Sequence, residues 1–89
     1  MAESSILYGE PTCEDTEAVR ERFNALGVAY REVNIGEDAR ASDFVIFINN
    51  GFRSTPTIMF GESKRRLILT EPTMDQLDDA LAWAGHTAR

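Results

Sequence analysis

Cys13 is the only cysteine in a chain of 89 residues, and its neighbours favour reactivity. It follows a short apolar run, Ile6-Leu7-Tyr8, and a turn, Gly9-Glu10-Pro11-Thr12, and a helical pattern opens at Glu14. A thiol at such a junction lies beside unpaired backbone N–H groups and the positive end of a helix dipole. Both favour the thiolate, which is the nucleophile. A single thiol cannot form an internal disulfide. Where a Cys-x-x-Cys pair would be completed, the chain reads Cys13-Glu14-Asp15-Thr16. The Thr16 hydroxyl can donate to a thiolate as a second thiol would, or it can simply face the core one turn into the helix. Against ionisation stand Glu10, Glu14, Asp15 and Glu17, four carboxylates around one sulfur. Acids in a first helical turn are also ordinary partners of the dipole, so the sequence leaves the sign of the thiol shift open.

These groups need a scaffold, and hydropathy patterning outlines one. The run at residues 6–8 reads as a buried strand. Residues 13–26 read as a helix, with Thr16, Val19, Phe23 and Leu26 on one face and Gly27 as a left-handed cap. Residues 29–35 alternate as a strand, with Tyr30 and Val33 as its β-formers. From Gly36-Glu37-Asp38 a second helical spacing starts, through Ala41, Phe44, Val45 and Ile48. Residues 44–48 are also a continuous apolar run that pattern alone accepts as a strand. Residues 57–60 and 66–69 form a hairpin about a turn at Gly61 to Lys64. Thr73 with Gln76 fits a capping box for a last helix, whose apolar face is Leu77, Leu81 and Ala84. The order is β-α-β-α-β-β-α. A β-α-β start implies a parallel pair, and the hairpin adds antiparallel strands. The expected class is α/β, with a mixed four-stranded sheet and helices on both faces.

At this length one domain is expected over residues 1–89, burying ~60–65% of its unfolded surface. The net charge of −6 argues against nucleic acid and anionic membrane surfaces as partners. No apolar run approaches the ~20 residues that span a bilayer, and the acidic start lacks a secretory pattern. A soluble cytoplasmic protein and a monomer are therefore expected. One His and one Cys do not make a metal site in a single chain. Lys64-Arg65-Arg66 reads as a solvated turn, His86 as a tail residue and Trp83 as a packing residue.

With the cysteine after the first strand and Thr55-Pro56-Thr57 before the third, this order resembles the glutaredoxin branch of the thioredoxin superfamily, most closely actinobacterial mycoredoxin-type proteins. The likeness is carried by residues 8–13, by Asp43-Phe44-Val45, by Asn49-Asn50-Gly51-Phe52-Arg53-Ser54-Thr55-Pro56-Thr57 and by Leu69-Thr70-Glu71-Pro72-Thr73. It implies a thioredoxin fold, a helix over residues 44–48, and a cis Pro56 facing Cys13. It also implies that Thr55 pairs with a peptide-like thiol substrate as a further strand would. Cys13 and Thr16 are the implied catalytic residues, and Arg53, Thr55, Pro56, Thr70 and Glu71 the implied substrate-binding ones. Arg53 beside the nucleophile could hold a substrate carboxylate or offset the local acidity, or it could be a solvated loop arginine.

The implied activity is monothiol exchange of mixed disulfides, with no bound cofactor. Glutathione or mycothiol is the implied co-substrate, and a disulfide-bearing protein the partner. The alternative is a non-catalytic module binding a partner in the same groove. A cluster-bridging dimer is a third use of the family. Relatives so used carry Gly-Phe-Ser after the cysteine, where this chain has Glu14-Asp15-Thr16.

Overall fold

The computed structural model describes residues 4–61 and 66–85. The chain runs β1 (Ser5–Gly9), α1 (Glu14–Ala25), β2 (Arg31–Asn34), α2 (Ala39–Ile48), β3 (Thr57–Phe60), β4 (Leu67–Thr70) and α3 (Met74–Trp83). The four strands form one sheet in the order β2-β1-β3-β4. β1 pairs parallel with β2 and antiparallel with β3, and β3 pairs antiparallel with β4.

Period-two alternation in the two central strands divides the core. Leu7, Ile58 and Phe60 face α1 and α3, where they pack with Val19, Phe23, Leu77 and Leu81. Ile6, Tyr8 and Met59 face the other way, against Ala41 and Val45 of α2. Both central strands are buried along their whole length, as strands covered on two faces must be.

The apolar run at residues 44–48 lies in α2 and is helical. Asp38 caps the helix by accepting the Ala41 N–H at 3.0 Å. Val45 is fully buried whereas Phe47 is 80% exposed. The run looked strand-like because an outward-facing aromatic filled a position that a polar residue usually takes. The capping box on α3 is present in both directions, Gln76 N–H to Thr73 Oγ1 at 3.1 Å and Thr73 N–H to Gln76 Oε1 at 2.9 Å.

Three expectations need correction. Leu26 does not face the core: α1 ends at Ala25, and Leu26 as its C-cap is 38% exposed. The chain then reverses through Gly27 at φ 69°, and the Val28 N–H reaches the Phe23 carbonyl at 2.9 Å. β2 is shorter than residues 29–35. Tyr30 is drawn onto the Phe23 ring at 4.9 Å, and Ile35 leaves the strand while still donating to the Gly9 carbonyl. Trp83 is also 38% exposed, at the rim of a cleft of about 630 Å³ between β4 and α3. The hairpin turn with Lys64 and Arg65, and the tail with His86, lie outside the described residues.

Strand register fixes where the loops gather. Tyr8 pairs with Thr57, Thr57 with Thr70, and Gly9 with Asn34. The end of β1, the end of β2, the start of β3 and the end of β4 thus lie along one edge of the sheet. Ser5, Phe60 and Leu67 mark the opposite edge.

Candidate active site

The loop from Gly9 to Cys13 is short and closed. The Cys13 N–H donates to the Glu10 carbonyl at 3.1 Å, and the Cys13 carbonyl accepts the Glu17 N–H at 3.0 Å. Cys13 is the N-cap of α1, with extended backbone (φ −82°, ψ 118°), and as a neutral thiol its side chain makes no capping hydrogen bond. The sulfur is therefore left half-buried at the helix start, with the thiol free.

Two threonines converge on it. Thr55 Oγ1 donates to Cys13 Sγ at 3.5 Å, and the thiol lies 3.9 Å from the Thr55 carbonyl. Thr16 is wholly buried, and its Oγ1 lacks a complete hydrogen bond to any protein atom. Among the described residues it is the one buried side-chain oxygen in that position. An unpaired buried hydroxyl costs about 1–3 kcal/mol, so a nearby anion is an acceptor it would favour. The Thr16 hydroxyl fits against Gly9 because that residue has no Cβ. A Cβ there would lie 2.3 Å from Thr16 Cγ2 and 2.8 Å from its Oγ1.

The acidity of Cys13 follows from this surround. Burial is the largest single influence and works against the charge. Hydrogen bonds from the Thr16 and Thr55 side chains, with the N–H groups of Thr16 and Asp15, together outweigh it. The thiol is held below its ordinary pKa. Glu14, Asp15 and Glu17 point to solvent from the first turn of α1. Glu10 is turned aside: its Oε1 lies 2.9 Å from Arg53 Nη1.

Arg53 has partners on every nitrogen. Besides Glu10, its Nε donates to Ser42 Oγ at 3.1 Å and its Nη2 to the Ile35 carbonyl at 3.0 Å. The guanidinium ties the Cys13 loop, the end of β2 and α2 to the segment entering β3. The acid it meets is Glu10 of the Cys13 loop.

The Thr55–Pro56 peptide is cis, and Pro56 is buried. The Pro56 carbonyl accepts the Glu71 N–H at 2.8 Å, and Glu71 takes a positive φ of 47° to make that bond. Thr70 donates to Asn49 Oδ1 at 2.6 Å. Asn49 in turn donates to the Val45 carbonyl and to Thr57 Oγ1. The candidates thus separate. Cys13, Thr16 and Thr55 meet at the sulfur. Pro56 and Glu71 brace each other, Thr70 is tied to the end of α2, and Arg53 is latched to Glu10.

Sequence reasoning missed Asn49, which joins α2, β3 and β4, and the contact of Gly9 with Thr16. Asn49 read only as turn chemistry. The glycine immediately before the loop was the one signal for the second. Among the described residues no group of three His, Cys, Asp or Glu could hold a metal ion, and no helix is long and apolar enough to cross a membrane.

Residues 6–64 match the glutaredoxin family model. A Mycobacterium tuberculosis (strain H37Rv) protein named "Putative glutaredoxin Rv3198A" is 30% identical over 71 residues, covering 80% of this chain and 81% of its own length. Its counterpart in strain CDC 1551, "Putative glutaredoxin MT3292", matches equally. Among solved structures, a mutant of the thioredoxin-like protein BC3987 superimposes with a TM-score of 0.75 at 23% identity, covering 89% of this chain and 95% of that one. Glutaredoxin grx-1 of Archaeoglobus fulgidus gives 0.63 at 22% identity, covering 89% and 85%. At those identities the two superpositions speak to the fold, a thioredoxin-like α/β domain.

Proposed function

Since this chain belongs to the glutaredoxin family, we propose that it performs thiol–disulfide exchange by a monothiol route through Cys13. The Cys13 thiolate attacks a mixed disulfide between a protein and a low-molecular-weight thiol. A bond forms between Cys13 Sγ and the small thiol's sulfur, the original S–S bond breaks, and the protein leaves as its thiolate. A second small-thiol thiolate then attacks the small-thiol sulfur of the adduct. This releases the small-molecule disulfide and regenerates the Cys13 thiolate. No second cysteine exists to resolve the adduct from within. Glutathione or mycothiol is the proposed co-substrate, by family likeness, and the surroundings proposed are cytoplasmic.

The observation that carries this reading is the Thr55 hydroxyl donating to the sulfur at 3.5 Å, with the buried Thr16 hydroxyl, which has no other partner, favouring the thiolate. A small apolar cysteine in a core would need neither. The second reading, a binding module using the same groove, is favoured by Arg53 already being engaged by Glu10. Mass spectrometry separates the two. A glutathionylated or mycothiolated model peptide should transfer one small-thiol unit to Cys13, and excess small thiol should remove it. A chain that binds the peptide yet never acquires the adduct would favour the module.

A further inference from the structure

Thiolate chemistry at Cys13 leaves open which disulfides reach it, and the latch beside it bears on that. Arg53 approaches the Cys13 loop through Glu10, at 2.9 Å. Its other two nitrogens are committed to Ser42 Oγ and the Ile35 carbonyl. A guanidinium binds a carboxylate best through a free edge of two N–H groups. Here an internal carboxylate already lies against Nη1 and competes with an incoming one for the guanidinium. With Glu10 and Arg53 neutralising each other, the charges left at the helix start are those of Glu14, Asp15 and Glu17, all exposed.

We infer that the Glu10–Arg53 pair is a specificity device that excludes carboxylate-bearing disulfides from Cys13 and favours disulfides that bring positive charge. This rests on the exchange reading above. It makes glutathione, which carries carboxylates, the less suited of the two implied co-substrates. Glu10 acts by occupying the cation that an acidic substrate would use, and the first-turn acids act through their field, which salt screens over about 8 Å at physiological ionic strength.

The test uses three symmetrical disulfides of similar size: cystamine (cationic), 2-hydroxyethyl disulfide (neutral) and 3,3′-dithiodipropionate (anionic). The rate of adduct formation on Cys13 is followed by mass spectrometry at low salt. The expected wild-type order is cationic, neutral, anionic, and the spread narrows as salt rises. In Glu10→Gln the anionic-to-neutral rate ratio should rise about threefold to tenfold, the scale of one exposed-to-half-buried charge-assisted contact. Adding Arg53→Gln should cancel that gain, because the freed guanidinium is its source. Glu21→Gln removes an equal charge two turns further along α1, and should leave the ratio in place. A wild-type preference for the anionic disulfide, a ratio unmoved by Glu10→Gln, or a gain that survives Arg53→Gln would each overturn the inference. Absence of adduct with all three disulfides would overturn the exchange reading and this inference with it.

Discussion

Cys13→Ser is expected to abolish exchange with a glutathionylated or mycothiolated model disulfide while leaving the fold intact. Serine keeps the size and the helix-start geometry of the residue. Its hydroxyl is not ionised near neutral pH and cannot form the sulfur–sulfur bond on which the reaction depends. Because Cys13 is the only sulfur nucleophile in the chain, the loss should be complete, down to the uncatalysed rate. Circular dichroism and the melting temperature should stay near wild type, since the side chain is half-buried and caps nothing. Turnover comparable to wild type would place the chemistry elsewhere.

Thr16→Val should separate a core threonine from a thiolate ligand. The substitution fills nearly the same space and removes a hydroxyl that is buried without a complete hydrogen bond. If Thr16 served only packing, stability would hold or rise and Cys13 would be unaffected. As a donor to the thiolate, its loss should raise the Cys13 pKa and slow alkylation near neutral pH roughly tenfold, within the worth of one hydrogen bond to a charged group. The stability difference should also depend on pH. The folded-state pKa of Cys13 is lowered, so the thiolate's contribution is present above the unfolded pKa and is lost as pH falls through the folded one. Wild type should therefore gain on Thr16→Val as pH rises through that window, and the variant should be at least as stable at acidic pH. Denaturation at a series of pH values measures this. A pH-independent difference with unchanged alkylation would reduce Thr16 to a core residue.

The fold could be read from the sequence wherever one residue's surroundings were set by its own element. Leu7 and Ile58 against Ile6 and Met59 followed strand alternation, and Thr73 with Gln76 followed capping chemistry. Residues 44–48 were ambiguous because Phe47 spends an aromatic side chain on solvent, so local hydropathy overstated burial. Leu26 failed for a related reason, since a helical spacing continues in sequence past the point where the helix stops. At the site, Cys13, Thr55 and Pro56 were visible from type and placement. The partner of Glu10 was not. As sequence it counted as one more anion opposing the thiolate, and only the arrangement of loops along one sheet edge brings Arg53 to neutralise it. The thiol's direction of shift depends on two N–H groups and two hydroxyls whose aim no pattern encodes.

The central claim is that these groups make Cys13 a thiolate more readily than a free cysteine. The rate of alkylation by iodoacetamide, followed against pH on the intact chain, reports this directly. A single transition is expected, with its midpoint below the ~8.5 of an unperturbed thiol. A midpoint at or above that value would contradict it.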